Sequence, residues 1–204
     1  MTIRTPVVGI LGLQGDYQKH GEVLDAIGVA SRVVRAHEDF DAVDRLIIPG
    51  GESTVMVRLL KRLDLETAFV SFIRSRPVWG TCAGMILLAS RVNDDSIIPY
   101  SVIDIEVDRN GYGRQVFSTV IPSVLSLNGA RESFDMVFIR APRVTRVGGG
   151  VSVLLTRGND PVLLAQKNVM VSAFHPELTG STRLHEYFVR KFCTPAAGRG
   201  EGAR

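Results

Sequence analysis

Cysteine is scarce: Cys82 and Cys193 are the only two in 204 residues. That is too few for a disulfide framework and suits a reducing, cytoplasmic setting, although counting leaves a single pairing open. Charge of one sign is also lacking. The formal net charge is +3, and one unit of it comes from the last eleven residues, where Arg199 and Arg204 outnumber Glu201. Neither nucleic acid nor an anionic membrane is indicated as a partner. Long hydrophobic runs are missing, so no segment reads as a membrane span. The early apolar run Val7–Leu13 is closed by Gln14 and Asp16 with no small-residue cleavage site after it, and it reads as a first strand rather than a signal peptide. Internal repeats are absent too.

What is present is ordinary globular composition, 45% hydrophobic and 22% charged, with 20 glycines and 9 prolines. The length favours one domain, taken as residues 1–193, followed by a disordered tail 194–204, "TPAAGRGEGAR". A helical pattern follows the first strand: Tyr17, His20, Leu24 and Ile27 recur at steps of three and four, and Gly28 closes it. Ala30–Val34 and Arg45–Ile48 read as the next strands. "PGGES" then opens a helix capped by Ser53, with Val55, Leu59, Leu60 and Leu63 facing inward. Val78–Trp79 is a further strand and Ala83–Ala89 a further helix. This alternation predicts an α/β fold with a mostly parallel open sheet and helices on both faces. From Ile103 the texture turns β-rich, at Ile103–Val107, Val116–Ile121, Met136–Ile139, Val151–Leu155, Pro161–Ala165 and Val169–Phe174, which adds antiparallel strands in the C-terminal half to the expected fold. A last helix is expected over Ser181–Phe192, with Leu184, Phe188 and Phe192 on one stripe.

The stretch "GTCAG" places Cys82 in a G-x-C-x-G pattern at a strand-to-helix junction, the cysteine form of the nucleophile elbow. A free cysteine in an apolar run is ordinarily core, so the pattern needs a partner to count. Of four histidines, His20 and His185 fall inside helices and His37 in a charged loop, where a solvated face or a capped pocket is the plain reading. His175 instead follows "VMVSAF" at the carboxyl edge of a strand, the edge where open parallel sheets bind ligands and where Cys82 also belongs. Pro176 biases His175 toward extended chain, in which residues two apart point the same way, so Glu177 can lie beside the imidazole. Acyl transfer also needs oxyanion donors: the N–H of Ala83 and the Gly50-Gly51 turn are available. That turn could instead cradle phosphate, though no P-loop lysine follows it.

"PGGES", "GTCAG" and "FHPE", in this α/β order, resemble the class I, triad-type glutamine amidotransferases, whose fold is flavodoxin-like. "GILGLQGD", "PGGEST", "DRNGYGRQV", "FIRAP" and "FHPELT" are more closely similar to the glutaminase subunits of pyridoxal 5′-phosphate synthase. The resemblance spans residues 7 to about 192. It implies Cys82 as nucleophile, His175 as base and then acid, and Glu177 as its orienting residue. It further implies an oxyanion hole of Gly51 and Ala83. L-glutamine binding would fall to Gly50, Gly51, Glu52, Ser53, Arg109, Ile139 and Arg140. An arginine suits the substrate α-carboxylate, although a lone arginine is more often in a surface ion pair. No cofactor and no metal are implied. The implied partner is a separate (β/α)8-barrel synthase subunit that receives ammonia in a hetero-oligomer, with "LQGD" as a candidate sensor of it. "NDDSIIPYSVID" matches nothing diagnostic.

Overall fold

The structure is a computed structural model, described for residues 6–112, 119–127 and 130–191. The expected tail 194–204, Cys193, Phe192 and residues 116–118 of an expected strand lie outside the described residues. In chain order the first elements are β1 (Val8–Leu11), α1 (Tyr17–Ala26), β2 (Ser31–Val34), β3 (Arg45–Ile48), α2 (Ser53–Arg62), α3 (Glu66–Ser75), β4 (Val78–Thr81), α4 (Ala83–Leu88), β5 (Ala89–Val92) and β6 (Ile103–Asp108). Then come β7 (Thr119–Leu127), β8 (Ala130–Phe138), β9 (Arg143–Val147), β10 (Ser152–Arg157), β11 (Asp160–Gln166), β12 (Val169–Ser172) and α5 (Arg183–Lys191).

The main sheet has seven strands in the order β10-β11-β12-β4-β3-β1-β2. β12, β4, β3, β1 and β2 run parallel, and β10 and β11 join antiparallel at one side. β1, β3, β4 and β12 are buried at every position, which is why they read as continuous apolar runs rather than alternating ones. The chain steps from β1 outward to β2, then back across β1 to β3 and on to β4. Right-handed crossovers in these opposite directions put α1 on one face and α2 with α3 on the other. The core between these layers is anchored by Trp79, Phe69, Phe174 and Phe188, all fully buried. Among the described residues, no helix is long and apolar enough to cross a membrane.

The antiparallel additions are larger than the sequence suggests. β5, β6 and β9 form a three-stranded sheet, and β7 pairs with β8 over nine residues. β5, β9 and most of the β7–β8 hairpin go unassigned in the sequence because their outer positions are polar or exposed and their runs are short. α3 is also unassigned there, although Phe69, Phe72 and Ile73 form its buried face. α2 is rotated relative to expectation. Its buried positions are Ser53, Met56 and Leu60, whereas Val55 and Leu59 are half-buried and Leu63, just past the helix end, is 50% exposed. Ser53 does not cap the helix: Glu52 occupies that position without a side-chain bond, and Ser53 is the first helical residue. α4 stops one residue before the expected end, because Ala89 already belongs to β5.

α4 lies against the sheet at a distance only glycine allows. A Cβ on Gly84 would stand 2.3 Å from the carbonyl oxygen of Ile48, and one on Gly80 would stand 2.5 Å from the backbone of Gly84. Gly84→Ala should therefore destabilise the chain by about 1–3 kcal/mol through overpacking. Urea unfolding checks this as a lowered midpoint at unchanged slope.

Candidate active site

Cys82 follows β4 and precedes α4 with φ 46° and ψ −100°, a strained conformation for a side chain with a Cβ. The strain is held by neighbours. The Cys82 N–H donates to the Ser172 carbonyl of the adjacent strand at 2.8 Å, and the Gly80–Gly84 contact fixes the helix that follows. The residue is thus buried and poised at an elbow at once, with its sulfur lining a cavity and 3.8 Å from the Ile139 carbonyl oxygen.

β12 lies beside β4, with Ser172 opposite Thr81, so His175 emerges at the same edge as Cys82. Its backbone is pinned from the antiparallel half: the His175 N–H donates to Val137 at 2.8 Å, while Phe134 and Phe138 pack edge-on against Phe174. His175 Nδ1 meets Glu177 Oε1 at 2.7 Å. The pairing is the expected one, but the route differs. Pro176–Leu178 is a 3-10 turn, and this turn, not extended chain, tucks Glu177 against the ring. Burial disfavours charge on His175, yet hydrogen bonding and electrostatic attraction to Cys82 and Glu177 outweigh it and push its pKa up to about 10.

Two histidines given plain readings in the sequence prove to lie directly behind this pair. His20 and His185 are completely buried, which is the capped-pocket alternative rather than the solvated face. His20 Nε2 stands 3.4 Å from Glu177 Oε2, and His20 Nδ1 is 2.9 Å from His185 Nε2. Trp79 packs edge-on against both rings. Burial drives the pKa of His20 well below its ordinary value and that of His185 down to about 3, so both are neutral at pH 7. The helical spacing of Tyr17, His20 and Leu24 carries the only sequence signal for this, an inward position. His37 is exposed, as expected.

In front of Cys82 and His175 is a cavity of about 330 Å³ at the carboxyl ends of β1, β3 and β4. Gly50, Gly51, Glu52, Ser53, Cys82, Arg109, Ile139, Arg140 and His175 all line it. Glu177 stands behind His175, and Ala83, which does not line the cavity, opens α4, where its N–H has no intrahelical acceptor. A Cβ on Gly50 would fall 2.3 Å from His175 Cε1, so this glycine makes room for the imidazole. Gln14 also lines the cavity, and its Oε1 accepts from the Glu52 N–H at 2.6 Å, tying the loop after β1 to the Gly-Gly turn. Gly15 and Asp16 of "LQGD", Asn110 of "DRNGYGRQV" and Ile86 of α4 complete the lining. Arg109 is paired with Glu52 and, at 2.9 Å, with Asp94. Asp94 comes from the undiagnostic "NDDSIIPYSVID" stretch, and its bonds to Ser96 and Arg109 hold its pKa down at about 2. Arg140 is exposed at the cavity with a left-handed backbone, φ 44°.

The sheet order and the placement of this cavity are those of a glutamine amidotransferase. Residues 10–194 match the SNO glutamine amidotransferase family, and the chain belongs to that family. It is a glutamine-hydrolysing enzyme. It is 47% identical over 185 residues to pyridoxal 5′-phosphate synthase subunit PdxT of Fervidobacterium nodosum, covering 90% of this chain and 96% of the relative. The protein of the same name from Thermosipho africanus is 48% identical over 183 residues, covering 89% and 96%. A solved crystal structure of a glutamine amidotransferase superposes with TM-score 0.80 at 41% identity, covering 89% of this chain and 96% of that one. PurLQS from Thermotoga maritima, at 13% identity, shares the fold with TM-score 0.64, covering 92% and 99%.

Two outcomes are expected. Gly50→Ala should displace His175 and lower glutamine hydrolysis by roughly 100-fold while the far-ultraviolet circular dichroism stays native. Acid should also weaken the fold through His185. Between its ordinary pKa of 6.5 and its folded value of about 3, the unfolded chain binds a proton that the folded ring refuses. Stability present above pH 6.5 is therefore lost progressively as pH falls toward 3. Urea midpoints across this range should fall less steeply for His185→Gln than for the native sequence.

Proposed function

We propose that this chain is the glutaminase subunit of a pyridoxal 5′-phosphate synthase, hydrolysing L-glutamine through Cys82, His175 and Glu177. The observation that carries the triad is the meeting of Cys82 and His175 on adjacent parallel strands at the cavity, with Glu177 bonded to the far side of the imidazole at 2.7 Å. The sulfur of Cys82, its proton taken by His175, attacks the side-chain amide carbon of glutamine. The resulting oxyanion is received by the N–H groups of Gly51 and Ala83. His175 returns the proton to the departing nitrogen, ammonia leaves, and a thioester remains on Cys82. Water then adds to the thioester with His175 as base, and release of glutamate restores the thiol. Glu177 holds the ring in one tautomer throughout and accepts no proton itself.

Substrate binding follows from the lining. Arg140 is a cation at the rim that can take the α-carboxylate, and Arg109 can do so by exchanging one of its protein carboxylates for that of the substrate. Glu52 and Ser53 lie across the same cavity, where the α-ammonium needs an anion and a hydroxyl. The partner reading rests on the names of the relatives and on the sequence resemblance: ammonia made here is passed to a (β/α)8-barrel synthase subunit. The bond from Gln14 to the Glu52 N–H gives "LQGD" a physical route to the oxyanion turn, since anything docking on that loop moves the same peptide.

Glutamate release from glutamine, measured for the chain alone and with a pyridoxal 5′-phosphate synthase barrel subunit, tests both parts. Cys82→Ala should abolish release with the fold intact, and activity near wild type in that variant would remove Cys82 from the mechanism. Glu177→Gln should lose less than Cys82→Ala. Release that rises when the barrel subunit is added supports the partner assignment, and equal rates would count against it.

A further inference from the structure

Behind the triad, five ionisable side chains lie in one unbroken file: Cys82, His175, Glu177, His20 and His185. Glu177 is the centre of it. Its side chain has no solvent exposure, and while Oε1 is taken by His175, Oε2 makes no close hydrogen bond among the described residues. The polar atom facing it is His20 Nε2 at 3.4 Å. A carboxylate buried this deeply requires a donor on that side.

The protons in the file can be assigned from its far end. His185 Nδ1 is buried without a partner among the described residues, while its Nε2 faces His20 Nδ1 at 2.9 Å. A neutral imidazole carries one N–H, and a bare buried acceptor is tolerated far better than a bare buried N–H. His185 therefore carries its proton on Nε2 and donates it to His20 Nδ1. That makes Nδ1 of His20 an acceptor and puts the His20 proton on Nε2, aimed at Glu177, with the Thr81 hydroxyl 3.5 Å away as the other neighbour of that nitrogen. Trp79, wedged edge-on against both rings, holds them in this register.

We propose that His20, with its tautomer set by His185, is a positioning residue for glutamine hydrolysis: it donates from Nε2 to Glu177 and thereby fixes the carboxylate that orients His175. The inference rests on the triad reading above. The titratable groups facing His20 are Glu177 on the 3-10 turn, His185 on α5 and His175 beyond Glu177. Without the His20 donor, Oε2 of Glu177 has no polar neighbour to hold it, and the carboxylate is free to turn away from His175.

The test has two arms. In the first, nitrogen-15 NMR of the full native chain with labelled histidine at pH 7 reads the tautomers, and both His20 and His185 should carry hydrogen on Nε2 alone. A His20 protonated on Nδ1, or on both nitrogens, overturns the proposal without any variant having to fold. In the second, glutamine hydrolysis is measured with the synthase subunit present, normalised to the folded fraction. His20→Leu should lower kcat about 10- to 100-fold. KM should stay within about twofold. His20→Gln, whose amide nitrogen reaches as far as Nε2, should recover most of kcat. Equal losses of kcat in both variants would mean packing alone and overturn the proposal, as would a folded His20→Leu with native kcat. Cys82→Ala, run alongside, separates the two levels. If it stays active, the triad reading fails. If it is inactive while His20→Leu is native, only the positioning role fails.

Discussion

One buried carboxylate organises the catalytic edge of this protein. Glu177 carries a charge to a place with no solvent, where an ion left unpaired costs several kcal/mol. Its neighbours answer that cost on two sides: His175 with a full hydrogen bond in front, and His20 behind. The consequences spread outward. The pKa of His175 is raised against the pull of burial, and burial keeps His20 and His185 neutral at pH 7. The 3-10 turn at Pro176–Leu178 exists to deliver this one side chain, and the strand that precedes it is fixed in place by the core.

The two halves of the chain contribute differently to that edge. The parallel half brings Cys82 to the cavity on a strained elbow that depends on glycines packing backbone to backbone. The antiparallel half sets the position of His175. β8 bonds the His175 backbone, its phenylalanines clamp Phe174, and the turn after it presents Ile139 and Arg140 to the cavity. Strand and loop residues that look like padding in the sequence are therefore the supports of the imidazole.

Much of this was legible from residue types and spacing, and what was not has physical reasons. The fully buried strands and the glycine punctuation around Cys82 announced themselves because burial on both faces removes polar residues and close approach removes side chains. His175 and Glu177 were readable from their position after an apolar strand, although the backbone that joins them is a turn. His20 and His185 were not. They sit at inward helical positions, but a single sequence does not tell a polar residue facing a core from one facing a neighbour's carboxylate 157 residues away in the case of His20 and Glu177. Asp94 carries no signal of its own in the sequence, because its pairing with Arg109 depends on how the chain between them folds. The phase of α2 is not decided by composition, since Met56 and Val55 are both apolar and only the burial of Ser53 at the cavity separates them.

The strand order also fixes a schedule for synthesis. β12 lies in the interior of the seven-stranded sheet, between β4 and β11, yet it is the last strand made. Until it emerges from the ribosome, β4 is a raw edge: a short, fully buried strand with open backbone groups, followed by a cysteine that still lacks the Ser172 carbonyl that holds its elbow. The nascent chain is consequently most adhesive over that interval, and a single event, the insertion of Val169–Ser172, closes the edge and fixes the backbone at Cys82 together.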